Sequence, residues 1–294
     1  MLATVCVWGA TFVVIKDALQ DISPLLFNLL RMTLAFAVLA AIHHRALRNI
    51  TRAAWTSSIA AGTCLAIGYQ FQTAGLRLTS PSKSAFLTGL VVVFVPLLAL
   101  IKPLRPQHAR KPSLITIAAA LPAFIGVALL TTTSNITAFA SINIGDILTL
   151  ACALGFALHV IALSHASPRI PLAQLTTLQI GVTAAIMLIT TPLLEHPHIH
   201  WAPRVIIALL VTAILATAAA FTVQTWAQRH LPPSHTAILL ALEPVFAWLT
   251  ALVILHDHLT PRALAGAALI LSGILLVELR GNSEPPPAPV SASL

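Results

Sequence analysis

Gln72–Leu100 reads QTAGLRLTSPSKSAFLTGLVVVFVPLLAL, and Gln224–Leu252 reads QTWAQRHLPPSHTAILLALEPVFAWLTAL. Laid over each other without a gap, 13 of these 29 positions are identical. Shared Leu and Ala are expected by chance in two apolar helices. Gln72/Gln224, Thr73/Thr225, Arg77/Arg229, Pro81/Pro233, Ser82/Ser234, Ala85/Ala237, Val93/Val245 and Phe94/Phe246 together are not. The stretch is an internal duplication.

Working outward, the copies sit in a chain that is 58% apolar and only 8% charged, with mean hydropathy +0.93. Soluble domains carry about 25% charged residues, so this chain has too little charge to coat a soluble surface of its size. A spanning helix needs roughly 20 apolar residues. Such runs fall at 1–16, 22–43, 54–75, 82–101, 113–131, 145–164, 172–193, 205–225, 235–255 and 262–279. The runs are unbroken and rich in Ala and Leu, which excludes the alternating ten-residue pattern of a membrane β-barrel. The expected fold class is an all-α integral membrane protein of about ten transmembrane helices.

The duplicated stretch spans the third-to-fourth runs in one half and the eighth-to-ninth in the other. Weaker matches extend it. Cys6 and Gly9 match Cys152 and Gly155, and Ala119 and Gly126 match Gly266 and Gly273. The last two pairs are each seven residues apart, on one helix face, where small residues let backbones approach in lipid; simple tight packing is the favoured reading. Five spans per half is odd, so the second half enters from the opposite side. The result is two inverted five-helix repeats, an architecture associated with alternating access and a substrate site near mid-membrane. The expected boundaries are 1–132 for the first repeat, 133–144 for a linker, 145–280 for the second repeat and 281–294 for a disordered cytoplasmic tail containing Pro285-Pro286-Pro287.

Met1 to Ile15 makes roughly 22 Å of helix, shorter than the hydrocarbon core, and no basic region precedes it. It is read as a short first span with a truncated or misplaced start rather than as a signal peptide. The three cysteines, Cys6, Cys64 and Cys152, lie inside spans without metal-ligand spacing and read as small hydrophobes. Net charge is +8. Placing both termini in the cytoplasm puts ten Lys/Arg inside and five outside, with Arg31 inside a span. No basic face or aromatic platform for nucleic acid accompanies them. The expected partners are a small-molecule substrate and the lipid bilayer, with no nucleic acid and no cofactor; the oligomeric state is unassigned.

Several motifs resemble the EamA-like permeases of the drug/metabolite transporter superfamily. They are Trp8-Gly9-Ala10-Thr11-Phe12 with Lys16, Ser23-Pro24, Leu30-Arg31, Phe71-Gln72-Thr73-Ala74-Gly75-Leu76, Thr79-Ser80-Pro81-Ser82-Lys83, Phe86-Leu87-Thr88-Gly89-Leu90, Leu242-Glu243-Pro244-Val245-Phe246, and Leu259-Thr260-Pro261 followed by Gly266, Ala267 and Gly273. Their order covers nearly the whole chain. The resemblance implies two inverted five-helix repeats and transport or export of metabolites across the bacterial inner (plasma) membrane. Members handle amino acids, sugars, nucleotide-linked compounds and drugs. Relatives often carry a Gly-Glu pair before the last helix; this chain has Leu255-His256-Asp257-His258 there.

Glu243 is the most informative cavity candidate. A charged acid near mid-bilayer costs about 2.5–3.5 kcal/mol, so it should face a cavity or be protonated. The competing reading is neutral interhelical glue. Pro244 cannot donate to the Leu240 carbonyl, so a kink is expected beside it. Lys83 lies in a first helical turn, where the dipole disfavours a cation. Its repeat counterpart is His235, and both can instead snorkel to headgroups. Arg31 can hold a carboxylate or cap a broken helix. His159 is a proton relay or a satisfied core histidine. Tyr69, Gln70, Gln72, Gln224, Trp226 and Trp8 are polar handles suited to a mainly apolar pocket. Glu195, His196, His198 and His200, like His256-Asp257-His258, read as interfacial loops, without the spacing of a metalloprotease site. No span holds paired acids, and no nucleophile motif occurs, so an enzyme is disfavoured. The alternative to a carrier is a passive channel, which would need rings of carbonyls or charges.

Overall fold

The computed structural model describes residues 1–76, 78, 81–106, 111–131, 143–254 and 260–281. Residues 133–142 of the expected 133–144 linker, the tail beyond Gly281 and His256-Asp257-His258 lie outside the described residues. The described residues form ten helical spans. In the first half these are α1 (Leu2–Ala18), α2 (Pro24–Ile42), α3 (Arg52–Leu76), an interrupted pair α4 (Pro81–Thr88) and α5 (Val91–Leu100), and α6 (Leu114–Thr131). The second half has α7 (Ile144–Ala166), α8 (Leu172–Leu194), α9 (Pro203–Ala213) running through a π-helical turn (Ile214–Ala219) into α10 (Ala220–Ala227), an interrupted pair α11 (Pro233–Leu240) and α12 (Glu243–Ile254), and α13 (Pro261–Gly281). Pro24, Pro81, Pro203, Pro233 and Pro261 each open a helix, where the missing N–H has no intrahelical partner to lose.

Among the described residues, four helices are long and apolar enough to cross a membrane by themselves: Pro24–Ile42, Ile144–Ala166, Leu172–Leu194 and Pro203–Ala227. Shorter apolar helices cover Leu2–Thr11, Phe86–Leu100, Leu114–Leu129 and Pro261–Leu276. Helix α3 has 25 residues and is more polar; Trp55, Ile59, Ile67 and Phe71 stay exposed, while one face packs against α7 and α8. There its polar groups find partners: Thr183 Oγ1 donates to the Gly62 carbonyl at 3.0 Å, and Gln70 Nε2 to Thr190 Oγ1 at 2.5 Å. Such bonds join helices in lipid, where apolar burial gives no drive for association. Exposed Trp55 and Trp226 stand at one end of the bundle and exposed Trp201 at the other, as in the two aromatic belts of a membrane protein.

The halves meet about a pseudo-twofold axis. A Cβ on Gly126 of α6 would lie 2.5 Å from the Gly266 carbonyl of α13, and one on Gly273 would lie 2.8 Å from the Ala119 carbonyl. Since Gly126 aligns with Gly273 and Ala119 with Gly266, the contact is self-complementary, as a twofold requires. The pair α2–α8 repeats the logic at its ends. Glu195 Oε2, after α8, accepts from Leu25 N at 2.8 Å and Leu26 N at 3.2 Å at the start of α2. Gln174, at the start of α8, donates to the Ala46 and Asn49 carbonyls after α2 at 2.8 and 3.0 Å. The Glu195–His200 loop is therefore a cap for α2. His198 and Ser23 exchange main-chain and side-chain bonds, and His200 N donates to the Asp21 carbonyl. Arg204 pairs with Asp21, holding its carboxyl below the usual range.

Two expectations are corrected. The fourth and ninth spans are not continuous, and Pro244 does not kink a helix interior. Both are interrupted at the same register of the repeat, Gly89-Leu90 and Ala241-Leu242, by tight turns with three-residue hydrogen bonds. The first copy is interrupted with Val92 where the second has Pro244, so the interruption belongs to the repeat. Pro244 is the second residue of α12. The aligned glycines Gly9 and Gly155 also part company. Gly9 packs on the Glu243 carbonyl and Phe246 of α12, whereas Gly155 packs on Gly68 and Cys64 of α3.

The α6–α13 seam has no room for a side chain. Gly126→Val is expected to cost about 1–3 kcal/mol through overpacking and to lower the thermal midpoint in detergent by several degrees. Ala118→Val, on the exposed face of α6, should leave it within about a degree.

Candidate functional site

The chemistry-bearing side chains gather around the π-helical turn in the eighth span. In a regular helix Ala220 N would bond the Ala216 carbonyl. Here Ala220 N reaches the Leu215 carbonyl, and the Ala216 carbonyl is released sideways. Trp8 of α1 fills it with its indole Nε1 at 2.7 Å, and Arg31 Nη2 lies at 3.4 Å. Thr217, in the same turn, donates to the Thr212 carbonyl at 2.9 Å and accepts from Arg31 Nε at 2.6 Å. π-turns of this kind are frequent at functional sites.

Arg31 is 4% exposed. Its remaining described bond goes from Nη2 to the Tyr69 hydroxyl of α3 at 2.9 Å, with the guanidinium carbon 5.1 Å from the Tyr69 ring centre. Tyr69 stands edge-on to Phe156 of α7, with centroids 5.4 Å apart. One turn before Arg31, Asn28 donates to Thr73 Oγ1, which itself bonds the Tyr69 carbonyl. The guanidinium thus ties α1, α2, α3 and the π-turn at mid-depth.

Glu243 opens α12 immediately after the helix interruption. Its carboxyl is half-buried and has no hydrogen-bond partner among the described residues. Its main chain packs on Gly9 of α1, the residue after Trp8. On the other side of Trp8, Phe221 stacks at 5.3 Å and presents its ring to His159 at 5.8 Å. His159 Nε2 meets Gln179 Oε1 at 2.9 Å, and Gln179 Nε2 donates to Thr225 Oγ1 at 3.1 Å. The structure therefore brings Arg31 to Tyr69 by a direct bond, Trp8 to Arg31 through the shared Ala216 carbonyl, Glu243 beside Trp8 through the Gly9 contact, and His159 to Trp8 through Phe221.

The other expected site residues are placed differently. Gln72 is half-buried one turn after Tyr69, without a hydrogen bond among the described residues. Gln224 is buried in a separate clamp: it bonds Gln228, which donates to the Val160 carbonyl and Ser164 Oγ, both at 2.8 Å. The aligned glutamines of the repeat therefore do different work. His235 lies at one end of the bundle, in a small cleft with Lys111 and Thr116, away from Arg31. The Lys83 side chain lies outside the described part; its backbone belongs to the first turn of α4. The sequence reading missed Thr217, the Ala216 carbonyl, Phe156, Phe221, Gln179 and Thr225. Only the Thr212/Thr217 spacing of five hints at the π-turn, and the surrounding run is otherwise uniformly apolar.

The model of the EamA-like transporter family matches residues 1–132 and 143–279. An uncharacterized transporter of Archaeoglobus fulgidus is 32% identical over 276 residues, covering 93% of this chain and 83% of its own. The uncharacterized transporter YoaV of Bacillus subtilis is 22% identical over 280 residues, covering 94% of each chain. One solved structure superposes with a TM-score of 0.78 at 18% identity, over 94% of this chain and 95% of the other; that likeness is one of fold.

Thr217→Val removes the acceptor of Arg31 Nε and is expected to cost about 1–3 kcal/mol by stranding a buried donor. The double variant Arg31→Met/Thr217→Val should cost measurably less than the sum of the two single variants. Thermal midpoints of all four proteins in one detergent check this; additive losses would separate the two groups energetically.

Proposed function

This chain belongs to the EamA-like transporter family, and we propose that it exports amino acids or related small metabolites by alternating access. It is a multi-pass membrane protein and a transporter; cargo, direction and mechanism are the proposal. The carrying observation is the opposite charge of Arg31 and Glu243 near mid-depth, bordered by Trp8, Tyr69, Phe156 and Phe221. A zwitterion offers a carboxylate for the guanidinium, which forms paired bonds with carboxylates readily, and an ammonium for Glu243. The aromatic rings accept an apolar side chain.

In the described arrangement Arg31 is occupied by protein groups. A cargo carboxylate would take over the Tyr69 hydroxyl's place on Nη2, so binding would loosen α3 from α2. The interruptions at Gly89-Leu90 and Ala241-Leu242 lie at equivalent depths in the two repeats. They supply hinges of the kind found in inverted-repeat carriers. The family likeness supports transport; export is part of the proposal. The excess of Lys/Arg on one face supports both termini being cytoplasmic; a bacterial inner-membrane setting and repeats at 1–132 and 145–280 joined by 133–144 complete the proposal. A passive channel is the competing reading, and saturable counterflow from loaded liposomes separates the two.

Glu243→Gln keeps size and hydrogen bonding and removes ionisation. It is expected to insert normally, to slow amino-acid counterflow at least about tenfold, and to flatten the pH dependence of transport between pH 5 and 8. A folded variant that transports like the parent across that range makes Glu243 interhelical glue.

Topology has its own test. In a protein whose Cys6, Cys64 and Cys152 are replaced, Arg105→Cys should resist a membrane-impermeant thiol reagent in intact cells and react after permeabilisation. Modification in intact cells would reverse the orientation.

A further inference from the structure

A cleft of about 590 Å³ opens away from the Arg31 cluster, at the arginine-rich end of the α3–α7 pair beside α8. It includes none of Trp8, Arg31, Tyr69 or Glu243. Its walls carry Ala53 and Ala60 of α3 and Ala162 of α7, side chains too short to fill the space between the helices. Its mouth carries Asn49, Thr51 and Arg169. The backbone around Asn49 is fixed by the Gln174 amide, which holds the Ala46 and Asn49 carbonyls at 2.8 and 3.0 Å. Thr51 Oγ1 accepts from Ala54 N at 3.1 Å, so its hydroxyl hydrogen remains to be donated elsewhere. The His165 ring, also on the lining, is turned to the Leu104 carbonyl at 2.8 Å.

Depth identifies the kind of occupant. Trp55, one turn beyond Thr51 on α3, is 45% exposed, and exposed tryptophans of a membrane protein sit at headgroup level. The mouth of the cleft is therefore level with lipid phosphates, and the alanine walls continue toward the acyl chains. Arg45, Arg48 and Arg52 surround the same end of the chain, which attracts anionic rather than zwitterionic lipid.

We infer that this cleft is a binding site for an anionic glycerophospholipid, with its phosphate against Arg169, Asn49 and Thr51 and its upper acyl chain along Ala53, Ala60 and Ala162. The inference is independent of the cargo and of the transport mechanism. It assigns α3, α7 and α8 a lipid that fills space their own side chains leave open.

The full chain, purified in a neutral detergent, is titrated with phosphatidylglycerol, phosphatidylcholine or inorganic phosphate while the thermal midpoint is read. Phosphatidylglycerol alone should raise it. Arg169→Gln should increase the phosphatidylglycerol needed for half the shift at least about fivefold, and Ala162→Leu, which fills the cleft, should abolish the shift. If Ala162→Leu does not fold, Ala60→Leu on the opposite wall serves the same arm. Glu243→Gln should keep the parent's shift, since it lies outside the cleft. An equal response to phosphatidylcholine would overturn the proposal by removing headgroup selection. A shift with inorganic phosphate alone would replace the lipid with a soluble anion. Either cleft variant responding like the parent would show that the lipid binds elsewhere.

Discussion

A guanidinium buried at the level of the acyl chains has to have its donors answered by protein, because hydrocarbon offers no acceptor. Arg31 meets that demand with Thr217 Oγ1, the Ala216 carbonyl and the Tyr69 hydroxyl. The demand reaches into the backbone: the Ala216 carbonyl is available only because Ala220 N bonds one residue further back. The same carbonyl accepts the Trp8 indole, so a single extra residue in one helical turn fixes α1, α2 and α3 relative to the eighth span. The aromatic row Trp8, Phe221 and His159 follows from where that guanidinium sits.

Around this centre the bundle is held by pairs of small residues and interhelical polar bonds. The α6–α13 seam brings Gly126 onto Gly266 and Gly273 onto Ala119, a reciprocal contact that makes the two halves partners about an axis. The α2–α8 pair is tied at both ends by Glu195 and Gln174. The α6–α13 seam lies apart from the Arg31 cluster, whereas the α2–α8 pair packs directly against Trp8, Tyr69, Phe156 and Phe221. The interrupted spans, α4/α5 and α11/α12, pack against α6 and α7 between these pairs.

The halves share ancestry but not chemistry. Gln72 and Gln224 align, yet one is half-buried beside Tyr69 and the other is locked into a clamp on α7 with Gln228. Val91 and Glu243 align, and only the second is ionisable. The π-turn lies in the second half alone among the described residues. A transporter with two identical halves would present a symmetric interior; these substitutions leave Glu243 without an acidic counterpart at Val91.

The sequence alone determined the membrane class, the ten spans and the two halves. These follow from apolar run length and from the Gln72–Leu100 repeat, which are properties of residue type and order. It also singled out Trp8, Arg31, Tyr69 and Glu243, because a polar group inside an apolar run is costly wherever it lands. What it did not show is which of these groups meet. The partners of Arg31 are a threonine 186 residues away and a main-chain carbonyl, and a carbonyl carries no mark in the sequence. The π-turn has no Gly or Pro to announce it. Glu195 and its histidines read in the sequence as an interfacial loop, and only the fold shows that Glu195 accepts from the first amides of α2. The tertiary structure decided those pairings, because buried hydrogen bonds are chosen by the three-dimensional supply of donors and acceptors rather than by spacing along one chain.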